Sequence, residues 1–164
     1  MLLLILALAC TDKGGDDTGA PAETGETGET GDPGEGTLAI TFAMDADYIA
    51  IMDEEPVGRF WGVVWRSEDV TSIGPGEDAV GLADVYVEEV DLRPDGATTA
   101  VLATTGPIPA IEVCILGFLD SDVNATEDPD PDEGDPVTLP GDNRFDVVAD
   151  AETTVEVYFG LLNP

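Results

Sequence analysis

The sequence predicts an all-β protein: an antiparallel β-sandwich of about seven strands behind a disordered N-terminal tether. Three observations carry this expectation. Short apolar runs alternate with period two from Thr37 onward, Gly, Pro and Asp punctuate them, and no window of a dozen residues keeps a 3.6-residue period. Leu38, Ile40, Phe42 and Met44 alternate with Thr37, Ala39, Thr41 and Ala43, the pattern of a half-buried strand. Residues 60–65, from Phe60 through Trp61 to Trp65, are apolar on both faces, as a central strand would be. Val85 and Val87 share one phase while Val90 and Leu92 take the other, and a bulge near Glu88 and Glu89 reconciles them. Arg93, Pro94, Asp95 and Gly96 read as a turn, with 98–104 as the return strand. Residues 111–119, entered through Pro107 and Pro109, form the most buried run. Phe145 and Val147 make one further strand, 150–152 a turn, and Val155, Val157 and Phe159 the last strand. A domain over 37–164 is long enough to bury a core without disulfide staples.

Charge narrows the function classes. The 164 residues carry 5 Lys+Arg against 36 Asp+Glu, a formal net charge of −31. Binding to DNA or RNA is driven by cations that neutralise phosphate, so no nucleic-acid partner is expected. Docking on anionic lipid through a polybasic face is excluded by the same balance. There is no histidine, which removes Ser-His-Asp, Cys-His and HExxH chemistry. Hydrophobic residues still make up 43%, enough for an ordinary core.

The first ten residues, Met1 to Cys10, hold eight consecutive apolar residues after Met1. That is too short to span a bilayer, which needs about 20, but it suits the apolar region of an export signal. Leu6, Ala7, Leu8, Ala9 and Cys10 resemble a bacterial lipobox, in which Cys10 becomes lipidated and forms the new N-terminus. Ala7 stands where such motifs usually carry Leu, and no Lys or Arg precedes the run; a plain signal peptide is the alternative. The resemblance implies a membrane anchor through an N-terminal lipid. Thr11 in place of Asp implies sorting to the outer membrane. Residues 11–36 then repeat Glu-Thr-Gly three times between Gly- and Pro-containing flanks, with no aromatic residue and no Leu, Ile or Val. Such a segment cannot bury enough apolar surface to order itself, and reads as a disordered linker. A coil of this length spans ~30 Å and reaches ~90 Å when extended.

One loop concentrates the acidic charge. Eight carboxylates fall in the sixteen residues from Asp120 to Asp135. Calcium takes six to eight oxygen ligands at flexible geometry. Asp120, Asp122 and Asn124 match positions one, three and five of a D-x-D-x-N calcium loop, with the Thr126 carbonyl available at seven. Ala125 replaces the usual Gly and Pro131 occupies the twelfth position, so Asp132 and Asp135 would close the shell from a longer loop. The alternative is a solvated acidic loop that keeps a surface protein soluble. Crowding like charges at one strand end without a counter-ion favours calcium. Cys114 sits in the buried run 111–119; it reads as a free thiol if Cys10 is lipidated, with a Cys10–Cys114 disulfide as the competing state.

Phe118, Leu119, Asp120, Asp122 and Asn124, then Gly134, Asp135 and Pro136, then Phe145 and Val147, then Thr154, Val155 and Val157, come in a familiar order. This resembles F-L-D-x-D-x-N…G-D-P…F-x-V…T-x-V-x-V repeats of bacterial secreted proteins. Those are transthyretin-like or carboxypeptidase-regulatory-like β-sandwiches and the related B-type repeats of adhesins. The resemblance covers roughly 111–159, less than a third of the chain. It implies a scaffold, spacer or binding module and no reaction.

The expected function is therefore a non-enzymatic, lipid-anchored cell-envelope module, stabilised by calcium and spacing or binding an unidentified protein or glycan. A second reading places a glycan- or peptide-binding surface at Trp61 and Trp65, which share one face with Val63; packing into the core is the competing fate of both rings. Tyr48, Tyr86 and Tyr158 fall at phases able to face outward. A third reading, hydrolysis by a carboxylate pair such as Asp45 and Asp47, requires an acid and a base set across a cleft.

Overall fold

The computed structural model describes residues 32–93, 100–126 and 129–164. The expected signal segment 1–10 with Cys10, residues 11–31 of the expected linker 11–36 and the expected turn residues 94–97 lie outside the described residues, as do Thr98, Thr99, Glu127 and Asp128. Among the described residues no helix is long and apolar enough to cross a membrane.

The described residues are all-β with almost no helix. Its strands are β1 (Glu35–Met44), β2 (Val57–Arg66), β3 (Ala83–Asp91), β4 (Ala103–Thr104), β5 (Ile108–Pro109), β6 (Glu112–Asp120), β7 (Pro136–Thr138), β8 (Arg144–Asp146) and β9 (Glu152–Leu162). A single helical turn, α1 (Ala46–Ile49), follows β1, capped by the Asp45 carboxylate, which accepts from the Asp47 N–H at 2.8 Å. The strands form one nine-stranded sheet in the order β3-β2-β6-β7-β9-β1-β4, with β5 on β1 and β8 on β6. This mixed sheet is nearly closed into a barrel.

Two features depart from the expected antiparallel sandwich. The first and last long strands, β1 and β9, run parallel, from Thr37 opposite Glu152 to Met44 opposite Phe159. Alternation places side chains on a face but is blind to strand direction, so the pattern that located both strands left their pairing undetermined. This register sets Ile40 beside Val155 and Phe42 beside Val157, with all four side chains buried. The second departure is the segment expected to return beside β3. Of its described residues only Ala103 and Thr104 form a strand, and they pair with β1 instead. Thr105 draws them there: its hydroxyl oxygen accepts from the Leu38 N–H at 2.9 Å, and its own N–H donates to the Leu38 carbonyl at 3.0 Å.

Other local expectations hold. Gly58 pairs with Val90 but Phe60 with Val87, so one extra β3 residue bulges at Glu88 and Glu89. The bulge lets Val85, Val87, Val90 and Leu92 all turn inward, where all are buried. β1 begins at Glu35, two residues before the expected boundary; Gly36 pairs with Ile108, where a Cβ would collide with the Val148 carbonyl oxygen.

Inside the barrel the rings of Phe42, Phe60 and Phe159 pack with centroids 4.7, 6.1 and 5.9 Å apart. Gly62 and Gly117 face each other across β2 and β6, and the Phe60 ring occupies the space their missing Cβ atoms leave. This cluster holds β6 at the centre of the fold, so the loops at its two ends start from a rigid base.

Candidate functional site

At the C-terminal end of β6 the chain leaves the sheet at Asp120, whose side chain is completely buried. A buried carboxylate requires donors. Asp120 receives the Asn124 N–H at 3.0 Å and the Ala125 N–H at 3.3 Å, so the loop folds back over it. The Asn124 amide nitrogen then bridges Asp122 at 2.6 Å and Asp132 at 2.7 Å. Asp135, 6% exposed, accepts from the Ser121 N–H at 3.2 Å, the Ser121 hydroxyl at 3.1 Å and the Asp132 N–H at 3.0 Å. Val123, at the apex of this turn, has φ of 60°, a left-handed conformation that a β-branched residue adopts only under constraint.

The fold therefore brings Asp120, Asp122, Asn124, Asp132 and Asp135 into one hydrogen-bonded cluster. Thr126 is exposed and no hydrogen bond joins it to that cluster. Two members escaped the sequence reading. Ser121 fills the step between the two aspartates, and Asn163, beyond β9, clamps the loop from outside. The Asn163 amide donates to the Pro131 and Asp132 carbonyls at 2.8 and 2.9 Å. Its N–H donates to the Asp135 carbonyl, and its carbonyl accepts from the Gly134 N–H, each at 2.8 Å. Nothing local marks Asn163; only the β7–β9 pairing brings it there.

Burial pushes the Asp135 carboxyl above the ordinary carboxylate range, and the Asp120 charge adds to the rise, while the N–H bonds oppose it. Two buried acids thus share one strand end. Oxygen donors on a flexible loop match the preferences of a hard divalent cation. Among the described residues, however, no three acidic or cysteine side chains stand close enough to hold a metal as they are. The Asn124 amide and the N–H groups occupy the carboxylate oxygens. A cation would have to replace the amide bridge, with Asn124 turning its carbonyl oxygen inward.

Trp61 and Trp65 share the outward face of β2 with Val63, and each is half-buried rather than core. The Trp61 ring packs on exposed Tyr86 at 4.6 Å, tilted 57°. The Tyr86 hydroxyl donates to Glu88 at 2.5 Å, and Arg59 pairs with the same carboxylate at 3.6 Å. Trp61 Nε1 is buried without an acceptor among the described residues. Of the other tyrosines, Tyr48 and Tyr158 are half-buried. Asp45 and Asp47 are both exposed and sit on the α1 turn. Cys114 is free and buried; burial pushes its thiol up, while Arg144 opposes the shift.

Arg144, which the sequence reading passed over, ties β8 to the turn after β2. Its guanidinium donates to the Ser67 carbonyl at 2.7 Å, to the Ser67 hydroxyl and to the Val70 carbonyl at 2.9 Å. Comparison of the chain with protein-family models, with curated proteins and with solved structures returned no match to any of the three.

Proposed function

We propose that this is a non-enzymatic cell-envelope lipoprotein whose β-domain is stiffened by calcium at the β6–β7 loop. In this reading an acidic tether links the domain to a lipid on Cys10 at the outer membrane, and the domain spaces or binds a protein or glycan partner. The carrying observation is the cluster at the end of β6: Asp120 and Asp135 are buried carboxylates that accept from N–H donors and make no ion pair among the described residues. Calcium would be held by Asp120, Asp122, Asn124, Asp132 and Asp135, with Thr126 supplying a carbonyl. Its charge would offset the repulsion between the two buried acids and fix the loop against Asn163. The kinship with transthyretin-like and carboxypeptidase-regulatory-like sandwiches belongs to the same reading and rests on motif order alone.

The test is thermal unfolding of the chain in calcium and then in chelator. Calcium at about 100 times its Kd adds about 2.7 kcal/mol, several degrees in midpoint. The shift disappears in the double substitution Asp120→Ala with Asp122→Ala. A shift no larger than magnesium or plain salt produces would leave the loop a solvating element.

A second reading is favoured by the Trp61–Tyr86 pair. Two half-exposed rings beside the Glu88 carboxylate form a stacking surface with a hydrogen-bond acceptor at its edge, a combination that suits a sugar ring or an extended peptide. Tryptophan fluorescence titrated with soluble glycans and peptides tests it; a response that Tyr86→Ala leaves unchanged would place the binding elsewhere.

A further inference from the structure

We propose that the cavity at the N-terminal end of β6 binds the carboxylate of an amino acid or of a short peptide's C-terminus, with Arg66 as the group that meets it. Nothing in the calcium reading bears on this end: a strand of this length sets it ~27 Å from Asp120. The cavity measures about 290 Å³ and is lined by Arg66, Ser67, Glu68, Ile111, Glu112 and Arg144. That volume takes a small polar molecule.

Arg66 differs from the other described arginines. Arg59 pairs with Glu88, Arg93 with Asp91 and Glu55, and Arg144 with Glu112. Among the described residues Arg66 makes no ion pair, although the chain has 36 carboxylates to offer. Arg144 lines the same cavity. Arg144 is anchored by the Ser67 and Val70 carbonyls, so it contributes charge from a fixed position.

The lining selects the ligand's chemistry. A planar monoanion with two acceptor oxygens fits a guanidinium fork. A phosphate, more highly charged, would be opposed by Glu68 and Glu112 on the same wall. Two cations and two carboxylates around one opening suit a zwitterion, its carboxylate on Arg66 and its ammonium toward the glutamates. Past Arg144 a second cavity of about 430 Å³, walled in part by Val70, Leu139 and Pro140, offers space for an apolar side chain.

The experiment is an NMR titration of the full chain with L-leucine, glycyl-L-leucine, L-leucinamide and inorganic phosphate. Saturable shifts at the Arg66 side chain and at 67–70 are expected with leucine or glycyl-leucine, and none with leucinamide, which lacks the carboxylate. Arg66→Gln should weaken the tighter ligand about tenfold, the loss of one charge-assisted fork. Its melting temperature should stay unchanged, because Arg66 makes no ion pair among the described residues. Tighter binding of glycyl-leucine identifies a peptide terminus as the source, and tighter binding of leucine a free amino acid. Equal response to leucinamide, phosphate binding as tight as leucine, unchanged affinity in Arg66→Gln, or no saturation up to about 0.1 M would each overturn the proposal.

Discussion

The two ends of β6 treat charge in opposite ways. At the Asp120 end the chain buries two carboxylates and satisfies them with backbone N–H groups and the Ser121 hydroxyl. At the Glu112 end it gathers two arginines, one of which spends its donors on backbone carbonyls. Most other acids lie at the surface, where water solvates them at little cost. The difference teaches where the fold carries electrostatic tension: among the described residues the buried carboxylates at one end make no ion pair, and at the other Arg66 makes none. Both ends hang on the same strand, held rigid by the Phe60 ring over Gly62 and Gly117.

The comparison can be broken first at Arg144. Arg144→Ala strips donors from the Ser67 and Val70 carbonyls, and urea unfolding should show a loss of about 3 kcal/mol. A loss below about 0.5 kcal/mol would show that water replaces those bonds freely.

The acidic end gives a pH-dependent effect. Because burial raises the Asp135 carboxyl, the folded chain keeps that proton to higher pH than the unfolded chain does. This group's contribution to stability therefore grows as pH falls through its folded-state pKa and is lost as pH rises. In calcium-free buffer Asp135→Asn should flatten the slope of stability against pH over that window and raise stability at neutral pH. A slope identical to the parent chain's would contradict the assignment, since general relief of self-repulsion is common to both proteins.

Between the two ends lies Cys114, opposite Arg144 in the β6–β8 register and buried. Burial keeps the thiol protonated, so alkylation of the native chain at mildly alkaline pH should proceed only as fast as the strand opens. Labelling at the rate of an exposed thiol would mean that β8 does not cover it. The smallest effect is expected from Arg66→Gln, within about 0.5 kcal/mol in stability. A larger loss would mean that Arg66 supports the fold rather than awaiting a ligand.

Much of the architecture was legible because alternation and turn residues report faces and breaks directly. The phase change between Val87 and Val90 located a bulge that the register shift opposite Arg59 contains. The acidic cluster was legible in the same way: a run of Asp and Asn at alternate positions must fold on itself if its first member belongs to a buried strand. The short strands β5 and β7 were harder to read. Pro136, Val137 and Thr138 carry little pattern, and Thr138 joins β6 partly through its hydroxyl, which accepts from the Gly117 N–H at 2.8 Å. Arg66 and Arg144 are far apart in the chain and carry no local signature, so the cavity between them could not be anticipated.

By itself, the sequence determined that the chain is β-rich, which residues face inward along β1, β3 and β9, and where carboxylates crowd. These follow from local periodicity and composition, which every residue carries with it. Tertiary structure alone decided the parallel closure of β1 on β9, the clamp of Asn163 on the acidic loop and the cavity that Arg66 and Arg144 both line at the far end of β6. Each of these depends on which distant segments pair. Pairing is settled by the cooperative burial of the whole core, and short-range pattern does not record it.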